Sequence, residues 1–381
     1  MLGIGLADLA ADANYEMVLA VLPLFITTGL GAPVLTVGLI EGVADGASAA
    51  VKVWSGWYSD RITWRKSLAV AGYGATGFGF SLLVAVTVWP QVLLSRALAW
   101  LGRGLRQPIR QAMLAGSVDK KDLGKAFGFH EALDTAGALI GPATAFILLS
   151  AHQSFRTVFA VAVIPAVLAF SFFGLLTRDP RRGAARSKPP DFKLPPEFWR
   201  LMVPLGIFGA GNFATAFFTL RVVQMLQPEL SAPAATAAAV GFYLAHNAVG
   251  TAVSFPAGWA ADHVGKPAVL ALAYGTFGAA CLVAAAGHGW VAVGLLALLV
   301  GAESPVVSSV EGSLGGSLVE EPKLGTAYGV MNGINGAGDL VSSVLAGVLW
   351  MATPLATMGF GLVLSVVAAV ILWSRPPRLS N

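Results

Sequence analysis

The stretch LGKAFGFHEALDTAGAL, Leu123–Leu139, returns as LGTAYGVMNGINGAGDL, Leu324–Leu340. The two align without gaps at an offset of 201 residues. Gly124, Ala126, Gly128, Ala136 and Gly137 recur as Gly325, Ala327, Gly329, Ala337 and Gly338. A second pair, GWYSDR (Gly56–Arg61) and GWAADH (Gly258–His263), repeats at an offset of 202. Two such pairs divide the chain of 381 residues into two parallel copies of one unit. Each copy must bury its own apolar faces before any site can form.

Composition says where those faces are buried. Hydrophobic residues make up 56% and charged residues 12%, about half the roughly 25% of a soluble domain. Mean hydropathy is +0.73. A water-soluble fold cannot hide this much apolar surface. A soluble enzyme, a nucleic-acid binder and a disordered chain are therefore excluded. Apolar segments fall at 3–28, 34–58, 67–89, 91–115, 125–150, 156–177, 199–226, 234–259, 267–287, 290–316, 324–350 and 353–374. Each has the length of a membrane-spanning helix, about 20–25 residues. The expected fold is an all-α polytopic membrane protein with twelve transmembrane helices in two pseudo-symmetric six-helix halves. The halves are residues 1–178 and 199–381, joined by a linker at 179–198. Five prolines and a run of basic residues between Arg178 and Arg200 mark that linker as solvated.

The N-terminal run has no Lys or Arg before Asp8 and Asp12, so it reads as a retained first helix rather than a cleavable signal. Seventeen of the 24 Lys and Arg residues fall on one side if the N-terminus is inside. They include Arg61, Arg65, Lys66, Lys266 and seven from Arg178 to Arg200, whereas the opposite loops hold only Arg156. Both termini are thus expected in the cytoplasm. The single Cys281 offers neither an internal disulfide nor a metal cluster. The five histidines are scattered, with no H-x-x-x-H pair and no G-x-x-x-x-G-K-[ST] phosphate loop. Metal catalysis and ATP-driven pumping are disfavoured, and neither a cofactor nor a nucleic-acid partner is expected.

An ionisable group inside a span costs about 2.5–3.5 kcal/mol on insertion scales, so each is a functional candidate. The third, sixth, ninth and twelfth segments carry none in their apolar stretches. The first carries Asp8, Asp12 and Glu16, the second Glu41, Asp45 and Lys52, and the fourth Arg96, Arg103, Arg106 and Arg110. The fifth carries His130, Glu131 and Asp134, the seventh Arg221, the eighth His246, the tenth Glu303 and Glu311, and the eleventh Asp339. Spacing groups them into helix faces. Asp12 and Glu16 are four apart, as are Glu41 and Asp45, while Arg103, Arg106 and Arg110 form one stripe. At matching places of the second half stand Glu311 for Arg110, Asn335 for Asp134, Asn212 for Asp12 and Asn247 for Asp45. With Asn332 added and Asp8, Lys52, Arg96 and Arg221 set aside, these are the candidate proton-coupling and substrate-cavity residues. Titratable groups concentrate in the first half, which is expected to do most of the proton handling. Asp8 lies near the inner face and reads as solvated. Arg106 and Arg110 read as partners of Glu131 and Asp134.

Three features carry a family resemblance. The turn Gly56–Lys66 resembles the signature G-x-x-x-D-R-x-G-R-R-K of the major facilitator superfamily, with Thr63 and Trp64 in place of its inner Gly and Arg. The copy after the eighth segment keeps Gly258, Asp262, Gly265 and Lys266. Gly128, Gly137, Gly141 and Pro142, followed by Ala145, resemble the superfamily's antiporter motif G-x8-G-x3-G-P-x2-G. In the second half Ser342-Ser343 stands where that motif has Gly-Pro. The resemblance implies a substrate site near the midplane between the halves and alternating access by their rocking. It also implies that Gly56, Asp60, Arg61, Arg65, Lys66, Gly258, Asp262 and Lys266 form a conformational latch. The helices free of charge are the family's peripheral, lipid-facing ones. The expected function is proton-coupled efflux of a small organic molecule by a monomer in the inner cell membrane. The alternative is transport of an organic anion or metal chelate on the arginine stripe.

Overall fold

The computed structural model describes residues 2–59, 64–116, 123–178, 194–319 and 324–377. Among these residues every regular element is helical. In chain order they are α1 (Leu2–Leu24), α2 (Val34–Ser59), α3 (Arg65–Ser81), α4 (Trp89–Gly116), α5 (Leu123–Ser150), α6 (Phe155–Leu176) and α7 (Pro196–Gly211). There follow α8 (Ala216–Leu226), α9 (Ala232–Val264), α10 (Lys266–Ala286), α11 (Gly289–Ser317), α12 (Leu324–Ala352) and α13 (Pro354–Ser374). A π-helical turn, Phe25–Gly29, prolongs α1, and a 3₁₀ turn, Leu82–Ala85, follows α3.

Each of the twelve apolar segments lies on one of these helices, except that the seventh is split. α7 and α8 meet at a bend of 42°. Among the described residues nine helices are long and apolar enough to span a membrane, and the α7–α8 pair makes a tenth. α4 falls short because Arg96, Arg103, Arg106 and Arg110 interrupt its apolar run.

Two compact units account for the packing. The first comprises residues 1–32 and 43–188, and the second residues 33–42 and 189–381. In the first unit α1 packs on α5 and α6, and α3 on α4 and α6. In the second unit α7 packs on α12 and α13, and α10 on α11 and α13. These are the same pairings in repeat register, as the duplicated sequence requires. Small residues set the distances. A Cβ at Gly141 of α5 would come within 2.8 Å of the Met17 backbone nitrogen on α1. The repeat position of Gly137, Gly338 on α12, meets α7 as closely: a Cβ there would stand 3.0 Å from the Gly209 Cα. Gly265, between α9 and α10, adopts φ +110°, which side chains other than glycine rarely adopt.

In the first unit Ile4, Ala7, Ala10 and Ala11 of α1 close a core with Tyr73, Ile109, Met113 and Phe173. On α6, Ile164, Val167, Leu168, Phe170, Leu175 and Leu176 point outward. On α13, Val363, Val366, Val367, Val370 and Trp373 do the same. Apolar side chains left exposed on charge-free helices are what contact with lipid tails requires.

Asp60 and Arg61 lie outside the described residues, as does most of the linker, 179–193. Gly56, Gly128, Glu131, Gly258 and Asp262 lie on described helices, but the side chains of Glu131 and Asp262 are outside the description. Arg65 and Lys66 open α3 and Lys266 opens α10.

Candidate functional site

The first unit is organised around Asp8, which the sequence reading leaves solvated. Asp8 is instead fully buried, at 0% exposure. It lies one helical turn before Asp12 on the face of α1 that meets α3, α4 and α5. An ionised carboxylate there needs compensation from each neighbouring helix. Arg110 of α4 donates to Oδ1, and the Arg106 guanidinium stands 3.6 Å from the same oxygen. The Tyr73 hydroxyl of α3 donates to Oδ1 at 2.6 Å, and Nε2 of His130 on α5 is 2.6 Å from Oδ2. Arg110 also stands 4.0 Å from Asp134. The expected pairing of Arg110 with Asp134 is therefore a longer second contact, and Asp8 takes the arginines. Asp8, His130 and Asp134 bring three ligand-type side chains together. The Arg110 guanidinium already bonds to this group, which suits a salt-bridge network better than a metal ion.

Along the stripe, one turn from Arg106, Arg103 serves a different group. Its guanidinium donates to the Tyr15 hydroxyl at 3.2 Å and lies 4.2 Å from the centre of that ring. Arg96 stacks over Trp100 at 3.2 Å, and the indole N–H of Trp100 donates to Asp45. Asp12 is buried and faces the Asp134 carboxyl, with Arg103 and Arg106 in electrostatic range. Glu16 is buried beside Tyr15. Glu41, also buried, belongs to the first nine residues of α2, which group with the second unit.

The second unit repeats the scaffold with other chemistry. Glu311 of α11, at the repeat position of Arg110, is buried. The Tyr274 hydroxyl of α10 donates to its Oε1 at 2.7 Å, and the Asn335 amide of α12 donates to its Oε2 at 3.2 Å. Phe208, which matches Asp8 at an offset of 200, stacks flat on Tyr274 at 3.9 Å. Glu303, two turns before Glu311, is 4% exposed, and its Oε1 is buried without a hydrogen-bond partner. Among the described residues neither glutamate forms an ion pair with Lys, Arg or His. The His246 ring packs edge-on against Tyr243 at 4.6 Å, and its Nε2 is buried without a hydrogen-bond partner.

The remaining candidates are peripheral to these groups. The Asn212 carbonyl, at the α7–α8 break, accepts from Ser342 at 3.0 Å. Ser343 accepts from the Ala214 backbone N–H at 3.4 Å. The serine pair that replaces Gly-Pro thus satisfies backbone freed by the bend. Asn247 and Asp339 are half-buried, and Asn332 is exposed. Reading the sequence for charges misses the tyrosines, yet Tyr73 and Tyr274 recur at the same 201-residue offset.

Comparison with known proteins agrees with the fold. The family model for the Major Facilitator Superfamily matches residues 4–252. An uncharacterized MFS-type transporter of Methanocaldococcus jannaschii is 27% identical over 373 residues, covering 97% of this chain and 93% of its own. An uncharacterized protein of Mycobacterium tuberculosis is 29% identical over 262 residues, 62% of this chain and 63% of its own. Among solved structures, the nucleoside transporter NupG superposes with a TM-score of 0.81 at 11% identity, covering 97% of this chain and 98% of that one. A peptide transporter POT in complex with sulfate gives 0.80 at 13% identity, covering 99% and 94%. The chain belongs to the Major Facilitator Superfamily. It is a multi-pass membrane protein and a secondary transporter of small molecules.

Proposed function

We propose that this protein exports a small organic molecule in exchange for protons, by alternating access. It acts as a monomer in the inner cell membrane, with both termini in the cytoplasm. The observation that carries the reading is the Asp12–Asp134 pair, two carboxyl groups facing each other inside a membrane helix bundle. Two carboxyl groups that face each other can share one proton in a hydrogen bond, which makes the pair a candidate proton carrier. Arg103 and Arg106 lie in electrostatic range of Asp12, and Arg110 lies 4.0 Å from Asp134, so a change of charge on the pair is felt by the arginine stripe. Proton binding and release then change the electrostatics of α1, α4 and α5 together, which is what coupling to a conformational change needs.

The antiporter-type glycines support the same direction of transport. Gly137 and Gly141 seat α5 directly on α1, the helix that carries Asp12. The alternative of an organic anion on the arginine stripe is weaker. Arg110 and Arg106 are already committed to Asp8, which leaves Arg103 as the stripe's remaining cation near Asp12.

The test uses purified protein in liposomes with a pH-sensitive dye inside. An inward proton gradient is imposed, and cationic, zwitterionic and anionic compounds are added in turn. One class of compound is expected to trigger proton movement that Asp134→Asn abolishes. Proton movement that persists in both Asp134→Asn and Asp12→Asn contradicts the assignment of the pair.

A further inference from the structure

We infer that the second unit holds a proton-binding site of its own, formed by Glu311 and Glu303 on α11 and separate from the Asp12–Asp134 pair. The role of this site rests on the proposed proton coupling, whereas its existence does not.

Three observations carry it. Glu311 stands where the first unit has Arg110, but the anions around that arginine are gone. Phe208 replaces Asp8 and Asn335 replaces Asp134, so the neighbours of Glu311 are Tyr274, Asn335 and an aromatic face. The charge of this position is thus not inverted within a preserved network. The network has been rebuilt around a carboxyl group with neutral partners.

The second observation is Glu303, which is 96% buried by its 4% exposure and has Oε1 without any hydrogen-bond partner. A free carboxylate oxygen in a buried, apolar surrounding is the costliest form this side chain can take. A proton on it removes the charge and supplies a donor. Third, among the described residues no Lys, Arg or His forms an ion pair with either glutamate. Among the described residues, the groups tied to the α11 pair are Tyr274 and Cys281 from α10 and Asn335 from α12, and the His246 backbone of α9 passes Gly301 of α11. The His246 ring itself packs against Tyr243, with Nε2 buried and without a hydrogen-bond partner.

The proton binds a carboxylate oxygen and leaves from the same oxygen, so no other reactant is consumed. On Glu311 the hydroxyl of Tyr274 can donate to the carboxylate or accept from the neutral acid without moving. A hydroxyl with both options passes a proton in either direction with little rearrangement.

Infrared spectroscopy of the purified protein in lipid at neutral pH tests this without a substrate. The carbonyl stretch of neutral carboxylic acids is expected, shifted in D₂O. Glu303→Gln and Glu311→Gln should each remove one component. Tyr274→Phe should displace the Glu311 component without removing it, a change that a merely structural tyrosine would not cause. Asp134→Asn should leave both components in place. Spectra unchanged in both glutamine variants overturn the inference, whatever the transport assay shows. Absence of proton movement with every compound in liposomes contradicts the proposed coupling alone.

Discussion

Arg110 and Glu311 occupy matching places in the two halves, 201 residues apart, and their surroundings are opposite in logic. Around Arg110 each charge has a counter-charge: Asp8 meets two arginines and a histidine, and Asp134 lies within 4.0 Å of the same guanidinium. Around Glu311 the partners are a phenol and an amide. The helix pairings are the same in both units, and the close contact at Gly137 recurs at Gly338. The two halves thus share a backbone, while their buried polar groups form a salt-bridged cluster in one and, among the described residues, a cluster without an ion pair in the other. The first resists change in any single member. The second has carboxyl groups among neutral partners, so protonation changes its charge directly.

Replacing Asp8 should break this contrast most strongly. Asp8→Asn leaves Arg106 and Arg110 buried without their anion, at an expected cost of about 3–5 kcal/mol. Thermal unfolding of the purified protein in detergent should show the loss as a large fall in apparent Tm. The two tyrosines sharpen the comparison. Tyr73→Phe removes a hydrogen bond to a charged acceptor and should cost about 1.5–3 kcal/mol, whereas Tyr274→Phe should cost about 0.5–1.5. Equal costs would mean that Asp8 and Glu311 carry the same charge. Valine at Gly137 should destabilise the first unit about as much as valine at Gly338 destabilises the second, by about 1–3 kcal/mol each, because this helix contact is shared. The smallest effect belongs to Glu303→Gln. With no cation to strand, its stability should stay within about 1 kcal/mol of the wild type.

Much of this was legible in the sequence, for definite reasons. Apolar length placed the helices, and the 201-residue offset paired their positions. Charges avoided the segments that became α3, α6, α10 and α13, where lipid-facing surface leaves no room for them. The stripe Arg103, Arg106 and Arg110 was visible as a helix period, but its partner was not. Asp8 sits so close to the chain start that solvation looked natural. Only packing against α3, α4 and α5 shows that α1 is buried along its length. The bend between α7 and α8 was hidden because hydropathy runs unbroken through Gly209–Asn212. The role of Tyr274 could not be read from its type, since a tyrosine in an apolar run reads as core until a carboxylate is found at its hydroxyl.

A double-mutant cycle on Asp8 and Arg110 tests the contrast most directly. Stability would be measured for the wild type, Asp8→Asn, Arg110→Gln and the double variant under one set of conditions. The double variant should be more stable than the sum of the single losses predicts, by roughly 1–3 kcal/mol, because each single change strands a buried charge that the second removes. Strictly additive losses would show that the two side chains do not hold each other, and the distinction drawn between the two units would fail.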